Sequence, residues 1–166
     1  MDLLLAFPIL IIAFILQTTI VARVSLLNGM ADIMMLIIIA WGLQEQTKNA
    51  WMWAILAGLA VGFATAAPWF IFPISYLIIT FITDRVRSQI WQNPILAMMM
   101  ITCLGTVLIL GVEFIFLRLA GINLEFKEIL TRTILPSMLL NLLFAFPIYW
   151  GMRELSRMLH RQKNNR

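Results

Sequence analysis

The stretch Ile95–Ala120, which reads ILAMMMITCLGTVLILGVEFIFLRLA, decides the class of fold. Only Glu113 and Arg118 in it are charged, and it exceeds the about 20 apolar residues that cross a bilayer core. The whole chain of 166 residues is 62% hydrophobic and 12% charged, with a mean hydropathy of +0.94. Soluble domains have about 45–50% apolar and about 25% charged residues, and disordered chains are poor in apolar residues. The composition therefore indicates a polytopic membrane protein.

Five further apolar runs lie along the chain, and together they leave no room for a separate soluble domain. The predicted spans are about 3–22, 31–43, 51–67, 69–83, 95–120 and 134–151. We therefore expect an all-α membrane protein with six transmembrane helices. It forms a single membrane domain over residues 1–166 and ends in a basic cytoplasmic tail at 152–166.

The second apolar run is too short to cross a bilayer. Ile33–Leu43 has eleven residues, or about 16 Å of helix. Asn28-Gly29 is a turn-forming pair, and Asp32 is placed to cap the helix that follows. The sequence predicts a short second helix whose start dips below the headgroups. Irregular backbone at that depth has to be covered by protein or water.

Basic residues are distributed as the positive-inside rule requires for six spans with both termini inside. The inner side would hold Lys48, Arg85, Arg87, Arg153, Arg157, Arg161, Lys163 and Arg166, and the outer side Arg23, Arg118, Lys127 and Arg132. The five tail residues form a juxtamembrane patch that favours anionic lipid over nucleic acid as a partner. The tryptophans lie at or near span ends, as in an aromatic belt: Trp41, Trp51, Trp53, Trp69, Trp91 and Trp150.

Residues suited to catalysis or metal binding are scarce. The single histidine, His160, lies in the tail, and the single cysteine, Cys103, lies in an apolar run. A Ser–His pair inside the membrane and a His-based or zinc site are thereby excluded. The remaining option is a pair of carboxylates, Asp32 and Glu113, both near predicted outer span ends. We expect no catalytic residue, no cofactor and no metal.

Polar residues inside spans are costly and need a partner. Gln17 and Asn141 lie within the first and last spans, and Ser137 shares a helix face with Asn141. They can hydrogen-bond across helices and fix packing, or line a ligand cavity or partner groove. The first interpretation is favoured for Gln17 and Asn141, and both stay open for Glu113.

Small residues recur at every fourth position of the third run: Ala54, Gly58, Gly62 and Ala66. Such a stripe lets helices approach closely. It serves either packing within the chain or a homo-oligomer, and the number of internal helices favours packing. Pro73 and Pro147 lie inside runs, where each is expected to kink its helix.

Three motifs occur in order along the chain. They are Leu16-Gln17-Thr18-Thr19, then Ala31-Asp32, then Pro136-Ser137-Met138-Leu139-Leu140-Asn141-Leu142-Leu143, which runs on through Phe146-Pro147-Ile148-Tyr149 to Arg153. In these motifs, its length and its helix count, the chain resembles the rod shape-determining protein MreD family of bacteria. It departs from the family in having Ala31 for the usual Pro, and no Asp in Gly62–Ala67.

The resemblance implies a non-catalytic scaffold of the cell-elongation machinery in the bacterial inner membrane. Members partner MreC and belong to the machinery that couples MreB to the glycosyltransferase and penicillin-binding protein building lateral peptidoglycan. The family is also similar to the vitamin-binding S components of energy-coupling-factor transporters, which supplies the alternative function. The candidate structural or partner-interface residues are Gln17, Asp32, Gly58, Gly62, Glu113, Ser137, Asn141 and Pro147.

Overall fold

The computed structural model describes residues 2–19, 23, 25–44, 49–89, 93–123 and 125–164, and these are arranged in helices joined by short connections. The helices are α1 Asp2–Thr19, α2 Ile33–Gly42, α3 Ala50–Ala64, α4 Ile71–Gln89, α5 Pro94–Leu119, α6 Phe126–Ile129 and α7 Leu135–Asn164, with a π-helical segment Leu130–Ile134 between the last two. Residues 20–22, Lys48, Trp91 and Arg166 lie outside the described residues, as do the side chains of His160, Arg161 and Lys163.

The all-helical prediction is confirmed for the described residues, and the largest differences in helix length are at the ends of α4 and α7. α4 continues past the predicted end at residue 83 to Gln89. α7 continues past 151 through most of the predicted tail to Asn164, giving a helix of 30 residues, or about 45 Å. Four of the five basic positions of the tail, Arg153, Arg157, Arg161 and Lys163, therefore lie on a continuation of the last helix.

α2 is the central helix of the bundle. All of its residues from Met34 to Gly42 are buried, and it packs against α1, α3, α4, α5 and α7. A helix that is apolar on every side is stable only when it is surrounded, and IMMLIIIAWG is such a sequence. α2 is therefore held inside the bundle by the helices around it.

Trp41 and Trp53 do not belong to an aromatic belt, so the prediction was wrong for these two residues. Their side chains are 1% and 0% exposed, and the rings stack with centroids 4.6 Å apart. The stack joins the end of α2 to α3. Trp51, Trp69 and Trp150 are about half exposed, and for them the interfacial position stays a prediction.

The small-residue stripe packs α3 against α4. A Cβ on Gly58 would lie 2.5 Å from Pro73 Cα, and one on Gly62 would overlap the Trp69 carbonyl. Only glycine permits this approach, so the stripe serves packing within the chain. Pro73 lies in the first turn of α4, where its missing N–H breaks no helical bond, and the kink predicted there was wrong.

Two helical stretches among the described residues are long and apolar enough to cross a membrane: Pro94–Leu119 and Phe126–Met158. Only 39% and 33% of their most apolar windows are buried inside the structure. Their outward faces carry large apolar side chains, such as Leu143 on α7, which is 68% exposed. Soluble monomers avoid continuous apolar surface of this kind. α1, α2 and α3 are shorter apolar helices.

Candidate functional site

An irregular segment, residues 28–32, is hydrogen-bonded along one side of α7 and the π-helical segment. Every second backbone N–H of this segment donates a hydrogen bond to these helical elements. The Asn28 N–H donates to the Arg132 carbonyl at 3.0 Å, and the Met30 N–H donates to Ser137 Oγ at 3.0 Å. The Asp32 N–H donates to Asn141 Oδ1 at 2.7 Å. Donors that would otherwise be unpaired in an apolar environment thereby find partners. We call residues 28–32 the docked segment.

The π-helical segment aligns these acceptors. In a continuous α-helix, positions 132 and 137 would differ by about 140° around the axis. The wider π turn, with hydrogen bonds between residues five apart, brings the Arg132 carbonyl onto the side that carries Ser137 and Asn141. In a continuous α-helix Thr133 would share the face of Ser137 and Asn141, but here the acceptor is the backbone carbonyl of Arg132.

Gly29 allows the docked segment to approach α7. A Cβ at this position would lie 2.5 Å from the Ser137 nitrogen and 2.7 Å from Pro136 Cβ. Such distances are shorter than any ordinary contact, and the backbone of a helix cannot move aside. The backbones of Leu26 and Gly29 hydrogen-bond to each other and close a turn that contains Asn28-Gly29, as predicted. Gly29 also provides the space for docking.

Asp32 caps α2, as the sequence predicted, and has a second role. Its Oδ1 accepts a hydrogen bond from the Met35 N–H at 2.9 Å, which satisfies one of the free donors of the first turn. The Tyr76 hydroxyl of α4 lies 2.9 Å from Oδ1 and 2.7 Å from Oδ2. The carboxyl group thus links the start of α2 to the middle of α4.

Gln17 supplies another cap to the same helix. Its Oε1 accepts a hydrogen bond from the Met34 N–H at 3.0 Å, and its side chain is also within hydrogen-bonding reach of the Asp32 carboxyl group. α1 is therefore attached to α2 through a polar contact at the point where α2 begins. This agrees with the favoured interpretation of Gln17 as a packing residue.

Asn141 completes the network. Its Nδ2 donates to Thr106 Oγ1 at 2.8 Å, and the Thr106 hydroxyl in turn donates to the Thr102 carbonyl of α5 at 2.8 Å. Asn141 and Thr106 are each 2% exposed. We define the polar network as the six side chains that connect α1, α2, α4, α5 and α7: Gln17, Asp32, Tyr76, Thr106, Ser137 and Asn141.

Glu113 stands beside the network without a hydrogen bond to it. The carboxyl group is half-buried and close enough to Asp32 for an electrostatic interaction. Within the described part of the chain it forms neither an ion pair nor a hydrogen bond, and it lines an open cleft of about 340 Å³. Asp32 and Glu113 thus have different surroundings, since Asp32 belongs to the polar network and Glu113 lines the cleft.

The remaining candidate residues lie elsewhere. Gly58 and Gly62 are in the α3–α4 contact, and Pro147 is exposed on α7. In the tail, the Arg153 guanidinium lies 5.9 Å from the Trp150 ring centroid, and Arg157 pairs with Glu154 at 2.9 Å.

Sequence reasoning missed Tyr76, Thr106 and the packing role of Gly29. Tyr76 had a usable signal, because a buried tyrosine hydroxyl needs a hydrogen-bond partner. Thr106 had none, since threonines commonly bond their own helix in apolar segments. Over the residues that the structure describes, no group of three or more His, Cys, Asp or Glu is arranged to hold a metal ion.

No family model, no curated protein and no solved structure matches the chain. The arguments for function therefore rest on the geometry of the site and on the sequence motifs.

Proposed function

We propose that the chain is a non-catalytic membrane scaffold of the MreD type. In this role it spans the bacterial inner membrane six times with both termini in the cytoplasm. It binds MreC. Through MreC it is associated with MreB and with the glycosyltransferase and penicillin-binding protein that build lateral peptidoglycan. Its basic tail would lie against anionic lipid.

The convergence of the three sequence motifs is the observation that carries the proposal. Gln17, Asp32 and Asn141 come from motifs far apart in the chain, yet the three side chains meet around the first turn of α2. The arrangement supports the proposal because it gives the three motifs of the resemblance one common structural role. Their joint role in fixing five helices suits a protein whose function is to present a rigid surface.

The six-span arrangement is supported by the outward apolar faces of α5 and α7 and by the central position of α2. Because neighbouring helices surround α2, its ten residues need not match the bilayer thickness. The docked segment, at the depth of the start of α2, has its N–H groups covered by α7 as irregular backbone within a membrane requires.

The partner surface that best suits this fold is the outer face of α1. From the sequence we expected it on the first two spans around Gln17 and Asp32, but α2 is buried and offers no face to another protein. On α1, Phe7, Ile11 and Ile15 share one side and are 53%, 55% and 54% exposed. This row could receive the single transmembrane helix of MreC while Gln17 holds α1 in place.

The test is purification of the tagged chain from its native bacterium under mild solubilisation. Recovery of MreC with wall-synthesis enzymes is the expected result. A cysteine at Ile11 should form a cross-link to the transmembrane segment of MreC, whereas one at Leu139, equally exposed but on α7, should not. Absence of MreC, under conditions that keep a known membrane complex together, would refute the proposal.

The alternative is a vitamin-binding S component, and the cleft beside Glu113 is the observation that favours it. Such a protein would co-purify with a transmembrane coupling protein and ATPases instead of MreC. The same purification therefore separates the two functions.

A further inference from the structure

The cleft beside Glu113 is open to the outside and is bordered by several separate elements. Its walls come from α5, the docked segment, α6 and the π-helical segment, and its volume is about 340 Å³. This lies at the lower end of the range of about 300–1,000 Å³ that is usual for small-molecule pockets. None of the six side chains of the polar network lines it.

One wall of the cleft is apolar. Leu110, Phe114 and Leu117 line it from one face of α5, at the spacing that places side chains above each other on a helix. The Phe114 ring has two neighbours outside this row, because the Phe126 ring lies 5.8 Å away and the Arg118 guanidinium lies 5.9 Å from its centroid. The wall is therefore an apolar surface with an aromatic ring in its middle.

The polar lining is acidic and only partly neutralised. Glu113, Glu125 and Glu128 all face the cleft. Glu128 pairs with Arg132 at 3.2 Å, whereas Glu113 and Glu125 have no ion pair among the described residues. Glu113, which is half-buried, and Glu125, which is exposed, are thus two carboxyl groups without an ion pair in an open cleft with an apolar wall. A ligand that fits both features needs a positive group that can donate hydrogen bonds and an apolar portion.

We propose that this cleft binds an amphiphilic organic amine, with its ammonium group between Glu113 and Glu125 and its apolar portion against Phe114. The amine can come from two sources: a free small molecule or the headgroup of an aminophospholipid. This activity is independent of the scaffold role. It would supply the ligand class for the transporter alternative.

The first experiment measures binding of 2-phenylethylammonium to the purified full chain in detergent, with 2-phenylethanol as the neutral compound of similar shape. We expect saturable binding of the amine, at least about tenfold tighter than the alcohol, because a charge-assisted hydrogen bond is lost with the alcohol. Equal binding of the two compounds, or no saturable binding of either, would overturn the proposal.

Variants locate the site. Glu113→Gln and Glu125→Gln should each weaken binding of the amine about tenfold and leave the alcohol unchanged, while the exposed tail variant Glu154→Gln should have no effect. Leu110→Trp keeps all the carboxylates but fills the cleft, and should abolish binding of the amine. Circular dichroism checks that each variant is folded. Unchanged binding in folded Glu125→Gln and Leu110→Trp would place the amine elsewhere and refute the assignment.

A second arm distinguishes the sources. Native mass spectrometry after extraction from nanodiscs of phosphatidylethanolamine or of phosphatidylglycerol shows which lipid stays bound. Retention of phosphatidylethanolamine alone, lost in Glu113→Gln, assigns the lipid headgroup. Binding of 2-phenylethylammonium without such retention assigns a free amine. MreC plays no part in these measurements. A negative result for binding of the amine therefore leaves the scaffold proposal unaffected.

Discussion

The Tyr76 hydroxyl lies 2.7 Å from one carboxylate oxygen of Asp32 and 2.9 Å from the other, so α4 holds the residue that starts α2. Asp32 also accepts from the Met35 N–H and donates its own N–H to Asn141. One residue at the end of an irregular segment therefore links α2, α4 and α7. The orientation of the central helix depends on these bonds.

Replacement of Tyr76 by Phe should destabilise the protein by about 1.5–3 kcal/mol, because the Asp32 carboxyl group loses a hydrogen-bond donor in a buried position. Unfolding in detergent, followed by circular dichroism, measures the change. Thr65→Val is a suitable control, since it also removes one hydroxyl, one that bonds only its own helix. If both variants lose equally little stability, the Tyr76–Asp32 contact does not hold α2.

Gly29→Ala should lower the stability of the protein because the added methyl group has no space. The new Cβ would lie 2.5 Å from the Ser137 nitrogen, and relief of the overlap would separate the docked segment from α7. We expect a loss of at least about 2 kcal/mol from overpacking and broken hydrogen bonds.

Gly111→Ala is the matched control for that substitution. Gly111 lies within α5, and a Cβ there would meet nothing within 4 Å. Alanine in a helix interior is favoured over glycine by up to about 1 kcal/mol, so this variant should be as stable as the parent or more so. Equal effects of the two alanines would contradict the docking of the segment on α7.

Asn141 and Thr106 should show coupled effects on stability. Thr106→Val removes the hydroxyl that accepts from Asn141. It should lower the free energy of unfolding by about 0.6–2 kcal/mol, the range for polar contacts between membrane helices. Asn141→Leu should cost more, because it also leaves the Asp32 N–H without its acceptor. A double-mutant cycle measures the interaction between the two sites. Strict additivity would show that the 2.8 Å contact contributes nothing.

Gly58→Ala should lower stability without changing the oligomeric state. The added methyl would lie 2.5 Å from Pro73 Cα and separate α3 from α4 within one chain, at a cost of about 1–3 kcal/mol. Thermal unfolding and mass photometry in detergent give the two quantities. A variant that unfolds like the parent but dissociates from a dimer would assign the stripe to an interface between copies.

The sequence was sufficient to predict the features that depend on one property of neighbouring residues. The helices could be predicted from long stretches of apolar residues. The cap could be predicted because the Asp32 carboxyl group stands three residues before the N–H from which it accepts a hydrogen bond. The small residues Gly58 and Gly62 likewise predicted a close helix contact. The burial of Trp41 and Trp53 could not be read in this way, because a tryptophan near a span end suits an interface and a core equally.

What the sequence by itself determined was the apolar, all-helical character of the chain and its approximate helix positions, since these depend on neighbours within a few residues. The tertiary structure alone decided which polar groups meet. Met30 and Ser137 are 107 positions apart, and Asp32 and Asn141 are 109 apart. Their contact requires a π turn that changes the register of one helix and a glycine that admits the backbone of a distant segment. Neither requirement is visible until the helices are packed, because both arise from distances between elements remote in sequence.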